Sequence, residues 1–192
     1  MNPNLDTFES LENEIEKLKT EFYGSSKKSL FFTKKQKFEC ASQIMTKLSL
    51  DSLLQNTCRI IPQYGLVYID YVMFKSYATP EIFDYIADYI IQVFSDFRKD
   101  RGHLAVAINL DTFTISALER YKPIISIFCD KCFQQRNEFE KSLETFSIYN
   151  IPSTFDTIRI LIAPLVAEEI RDKIRLVGKP ESAKILRSFG IA

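Results

Sequence analysis

The sequence predicts an α/β domain, a largely parallel β-sheet flanked by helices, preceded by a short helical extension. Three observations carry this. From residue 66 onward, β-branched and aromatic runs of strand length alternate with stretches of helical period. Residues 104–110 are almost continuously apolar, the mark of a strand covered on both faces. Hydrophobic residues make up 46% of the 192, enough for a genuine core.

The elements follow in order. Phe8, Leu11, Ile15, Leu18 and Phe22 recur at spacings of three and four, a heptad-like stripe on one helix. Acidic Asp6, Glu9, Glu12 and Glu14 lead, Lys17 and Lys19 follow in accord with the helix dipole, and Gly24-Ser25-Ser26 stops it. Two readings fit: a short coiled coil making a homodimer, or a helix laid on its own domain. Two heptads are marginal alone, which favours the second. Next, Lys27, Lys28, Lys34 and Lys35 bracket Phe31 and Phe32. This suits transient docking on an anionic membrane surface, or else a solvated loop whose aromatics turn inward.

A helix is expected over 38–54 and a strand over 66–74. Pro80 opens a helix to about residue 98, with Ile82, Tyr85, Ile86, Tyr89, Ile90 and Val93 on one face. After the strand at 104–110, Ser116 starts a helix to about 136. A strand at 146–149, a helix over 153–172, a strand at 174–177 and a helical turn at 182–187 complete the chain. The expected division is a helical segment over 1–59 and the α/β domain over 60–192.

Several functions are disfavoured by what the residues omit. Basic and acidic residues balance at 25 each, so no global field attracts nucleic acid. None of the 5 glycines forms a phosphate-cradling loop, and the turn after Leu110 reads Asp111-Thr112-Phe113-Thr114. His103 is the sole histidine, in a polar turn, which speaks against a catalytic triad and against a histidine-rich metal site. Cys129-Asp130-Lys131-Cys132 has redox or zinc half-site spacing, but it falls mid-helix without a second pair. Asp111, at the carboxyl end of a buried strand, is either a ligand-facing residue or a cap for its own turn. The expectation is a protein that is not an enzyme, with no cofactor and no metal. The polar, acidic start does not read as a secretory signal, and no apolar run reaches membrane-spanning length. Four cysteines are therefore expected as reduced thiols in a cytoplasmic protein, peripheral at membranes.

Residues 153–172 are the informative stretch. Ser153, followed by Asp156 three residues on, resembles a capping box. Phe155, Ile158, Ile162, Leu165 and Val166 share one face, yet residues 160–166 are apolar all the way round. Pro164 sits in the middle, removing a hydrogen bond and clashing with the preceding turn, at about 3 kcal/mol in an ordinary helix. The segment is thus either a hinged lid over an apolar ligand or two core-filling pieces.

Asn150-Ile151-Pro152, Ala163-Pro164-Leu165 and Lys173-Ile174-Arg175-Leu176-Val177-Gly178 together resemble the CRAL-TRIO lipid-binding family. There a strand ends in Asn-x-Pro, a gating helix carries a Lys-Pro-Phe-like element, and Lys-Ile opens the last strand. Upstream, Ala107-Ile108-Asn109-Leu110-Asp111 is similar to the family's central strand, and residues 66–74 to its opening one. The likeness spans roughly residues 60–180. It implies a mixed, mostly parallel sheet as pocket floor and a lid over 153–172. It also implies a hydrophobic small-molecule partner, a phospholipid above all, with Phe155, Ile158, Ile162, Leu165 and Val166 on the tail and Lys173 at an anionic headgroup. Members that bind phosphatidylinositol pair that lysine with a glutamate in an aromatic-Pro-Glu element. Here Phe139-Glu140-Lys141 stands in its place, without the proline. The alternatives are a protein-interaction module of the same family and a regulatory domain like the sulfate-transporter/anti-sigma-antagonist type, with a solid core.

Overall fold

The computed structural model describes residues 3–25, 33–134, 139 and 141–191, with side chains from residue 10 onward except at 133 and 134. Its centre is a five-stranded sheet in the order β1-β2-β3-β4-β5: Cys58–Ile61, Leu66–Asp70, Leu104–Asn109, Leu143–Tyr149 and Ile174–Leu176. β1 runs antiparallel to β2, and every other neighbour pair is parallel. The protein is therefore an α/β fold with a mixed, mostly parallel sheet flanked by helices.

The helices are α1 (Pro3–Ser25), α2 (Thr33–Lys47), α3 (Leu50–Thr57), α4 (Tyr71–Tyr77), α5 (Phe83–Arg101), α6 (Ile115–Gln134), α7 (Phe155–Ile162), α8 (Glu168–Arg171) and α9 (Lys179–Ser188). Three expectations need correction. The helix expected over 38–54 is two, because Ser49 leaves helical geometry and its hydroxyl accepts from the Ser52 N–H, capping α3. The strand expected over 66–74 stops at Asp70. The Asp70 carboxylate accepts from the N–H groups of Val72 (2.7 Å) and Met73 (3.2 Å), so the β-prone residues after it wind into α4. β1 was not expected at all. Its four residues show no alternation, and it forms because the three-residue turn Pro62–Tyr64, closed by Gly65 at φ 59°, folds β2 back onto it.

On α5 the buried side turns out rotated. Phe83, Ile86, Ile90, Phe94 and Phe97 are buried, whereas Tyr85 of the expected stripe is 52% exposed. On α1 the stripe turns inward. Leu11 and Ile15 are buried and Leu18 and Phe22 partly so, in one core with Ile44 of α2 and Val67 and Val106 of the sheet. The division expected between residues 59 and 60 thus falls inside β1, and the N-terminal helices share the domain's core. Phe8 lies outside the described side chains. The opposite sheet face is covered by α9, where Leu186 and Phe189 lie on Tyr68, Ala107 and Tyr149.

Candidate functional site: an apolar cavity under a broken helix

After β4 the chain turns at Asn150, whose φ is 53°; its side-chain amide donates to Asn109 Oδ1 (2.9 Å) and its backbone N–H to Ser182 Oγ (2.8 Å). This network fixes the exit from the sheet and aims the next segment across its helical face. α7 begins at Phe155 rather than Ser153. Its cap residue is Thr154, with no side-chain cap bond, so the expected capping box does not form. The helix does not run through Pro164. It gives way to a single 3₁₀ turn, Ala163–Leu165, then an extended Val166, then the one-turn α8. Arg171 bridges the break. Its Nε donates to the Val166 carbonyl (3.0 Å) and its Nη2 to the Ala163 carbonyl (2.6 Å), which also accepts the Val166 N–H at 3.3 Å.

Beneath this segment lies a cavity of about 310 Å³. Its floor is the sheet: Ile69, Ile108, Phe146, Ile148 and Ile174. Its walls are α5, through Ile90 and Phe94, and α6, through Leu118, Tyr121, Ile124 and Phe128. Its roof is the broken helix: Phe155, Ile158, Ile162, Leu165 and Val166 all face it, as does Ile170. The same helix turns Ile160 (68% exposed) and Leu161 (47%) outward. The run that is apolar all the way round therefore meets a void on one side and solvent on the other.

Polar atoms at the cavity are few. Burial pushes the Tyr71 and Tyr121 hydroxyls above their usual range, and the Arg120 guanidinium beside Tyr121 holds that one lower than burial alone would. Cys129 and Cys132 sit one turn apart on the α6 wall. Burial pushes their thiols up to about 11 and about 12, so both stay protonated at neutral pH and are poor nucleophiles and poor metal ligands there. Lys131 between them turns away, onto Asp84 (3.3 Å) and Asp88 (2.5 Å). No group of three or more metal-ligating side chains occurs among the described residues.

The other sequence candidates fall elsewhere. Lys173 is half-buried and does not line the cavity, although its neighbour Ile174 does. His103 lies 3.2 Å from the Arg101 carbonyl and edge-on to Phe97. Asp111 does not cap its own turn. Asn109 does so, accepting the Asp111 N–H at 3.0 Å, and the Asp111 carboxylate instead lies 3.6 Å from the Lys179 ammonium. Lys34 and Lys35 are exposed at the start of α2, with Lys35 3.8 Å from Glu39. Lys27, Lys28, Phe31 and Phe32 lie outside the described residues. Sequence reasoning missed the α5 and α6 walls. Leu118, Tyr121, Ile125 and Phe128 recur at helical spacing, a pattern that a filled core and a cavity wall share.

Among the described residues no helix is long and apolar enough to cross a membrane. No curated protein matches the chain significantly. The profile of the CRAL/TRIO domain matches residues 64–191, the stretch that builds the parallel sheet, the α5 and α6 walls, the broken roof and α9. That match takes in well over half of the chain, and the chain belongs to the CRAL/TRIO domain family, whose members bind lipophilic ligands.

Proposed function

We infer that the chain binds the acyl part of a lipid, from a phospholipid or a simpler donor, under the broken helix and exchanges it at membrane surfaces. The observation that carries this is the carbon-lined void of about 310 Å³ roofed by Phe155, Ile158, Ile162, Leu165 and Val166. Ligand pockets span about 300–1,000 Å³. With a methylene taken as about the size of a water, roughly 30 Å³ of liquid, the void holds about ten methylenes. At about 0.8 kcal/mol each, their burial contributes roughly 8 kcal/mol before the costs of association.

The roof is suited to opening. It is three short pieces rather than one helix, and Ile160 and Leu161 on its outer side await an apolar surroundings that water does not supply. The homodimer reading gains nothing comparable, since Leu11 and Ile15 of the α1 stripe are spent on the chain's own core. Lipid extraction from protein purified out of cells, followed by mass spectrometry, tests the inference. A stoichiometric acyl lipid is expected. Protein that is empty on isolation and takes up no acyl lipid from vesicles refutes it.

A further inference from the structure

The cavity is long and its two ends differ. Its α6 wall runs from Leu118 to Cys132, about 21 Å of helix at about 1.5 Å per residue. A void of about 310 Å³ drawn out over that length is narrow, one acyl chain wide rather than two. At the carboxyl end of the strands stand Tyr71 of α4 and Tyr121 in the second turn of α6, which bring the hydroxyls to the cavity. The other end lies where β3 and β4 begin, because the crossover helices α5 and α6 run back along the sheet to the strand starts.

Behind that second end is a further void of about 20 Å³, room for about one water. Leu104 at the start of β3 lines it, and Ser95, Arg98 and Ser142 bring polar atoms to it. Three residues line both voids: Phe94, Cys132 and Phe139. They form a partition between a carbon-lined tube and a polar niche. Phe94 is 3% exposed and pinned between two rings, edge-on to Phe128 and stacked with Phe139, each at 6.0 Å between centroids. Phe139 is half-buried, and its carbonyl accepts from the Ser142 hydroxyl at 3.2 Å. Cys132 completes the partition as a small apolar group.

We propose that Phe94, Cys132 and Phe139 are the end stop of the acyl chain and fix the length of chain the cavity prefers, an assignment that rests on the cavity reading above. The chain lies along α6 with its oxygen-bearing end toward Tyr71 and Tyr121 and its terminal methyl against the partition. Carbon pushed past the stop would displace water from Ser95, Arg98 and Ser142 without replacing its hydrogen bonds. The void holds about ten methylenes, so those of a longer chain stay outside and add nothing to binding.

The test uses the full chain loaded with Nile red, displaced by lysophosphatidylcholines bearing one saturated chain of 8 to 18 carbons, each below its micelle concentration. The headgroup is constant, so only chain length varies. On wild type, affinity should rise about fourfold per methylene and stop rising near ten to twelve carbons. Phe139→Ala removes six ring carbons and joins the two voids, room for roughly four more methylenes at about 30 Å³ each, so the break should move to about fourteen to sixteen carbons. Cys132→Leu adds two heavy atoms at the same end and should bring the break about two carbons earlier. A thermal melt checks that each variant folds; should Phe139→Ala fail to, Cys132→Leu decides. Affinity that climbs unchecked to 18 carbons on wild type overturns the end stop alone. So does a folded variant that weakens every chain equally and leaves the break in place, the result expected of a merely structural residue. If no chain length displaces the dye from wild type, the cavity reading falls with it.

Discussion

Ile162→Asp tests the roof directly. Ile162 is half-buried at the end of α7, facing the void and touching the main core cluster. Full burial of an isoleucine side chain is worth about 1.5–3 kcal/mol, so losing a half-buried one from a surface element costs roughly 1 kcal/mol of stability. The empty protein tolerates the aspartate, because the roof can lift and let water reach the carboxylate. The loaded protein cannot, because the carboxylate then faces acyl carbon with no partner, at several kcal/mol. A penalty of about 3 kcal/mol lowers affinity more than a hundredfold. The same apolar surroundings raise the carboxyl pKa, so uptake should be lost at pH 7.5 and return in part as pH falls below about 5, where the acid is neutral. The assay is uptake of a fluorescent acyl lipid, run beside a thermal melt at each pH. Uptake within twofold of wild type at pH 7.5, in a variant whose melt is unchanged, refutes the roof assignment.

Arg171→Ala removes both side-chain bonds that tie Ala163 to Val166 across the break. At about 1 kcal/mol each, their loss should speed ligand exchange roughly thirtyfold in stopped-flow transfer and lower the melting point by no more than about 4–8 °C. Asp70→Ala uncaps α4 and takes the acceptor from the fully buried Tyr68 hydroxyl, 3.0 Å away; a loss of about 3 kcal/mol is expected, read as a melting point roughly 6–12 °C lower. Cys129, pushed from 9.0 to about 11, should alkylate at least tenfold more slowly than free cysteine at pH 8, and more slowly still with ligand bound, as mass spectrometry of labelled protein would show. Since the folded thiols ionise later than unfolded ones, the stability they contribute is complete below pH 9 and lost as pH climbs through 11 to 12.

The sequence made some of this legible and hid the rest for identifiable reasons. Strand β3 was readable because burial on both faces removes polar residues from a strand, and that trace survives in Ala105-Val106-Ala107-Ile108. The roof residues were readable because apolar side chains at helical spacing must face something, and residues 160–166 offered more apolar surface than a small domain can cover. β1 was hidden because an edge strand of four residues carries no period, and its partner β2 supplies the pattern. α4 was hidden because a single carboxylate at Asp70 outweighs the strand propensity of Tyr71-Val72-Met73-Phe74.

The two sides of α7 are the features that the proposed exchange at a membrane would use. Were the segment a core-filling piece, Ile160 and Leu161 would have cover; instead they stand in water, at about 1 kcal/mol or more apiece for a side chain left outside. Were it a surface helix of ordinary kind, those positions would be polar, since nothing in the fold asks for carbon there. An apolar outer face over an apolar void is explained if the roof has two resting places, closed on the sheet or laid on a bilayer. Swinging from one to the other exchanges the cover of Phe155 and Ile158 for that of Ile160 and Leu161. The apolar area lost on one side is then matched by the area gained on the other, so opening at a membrane costs far less than opening in water. In that scheme Pro164 and the Arg171 bridge would set the size of what moves: two short pieces joined by side-chain bonds that can break and reform without unfolding a continuous helix.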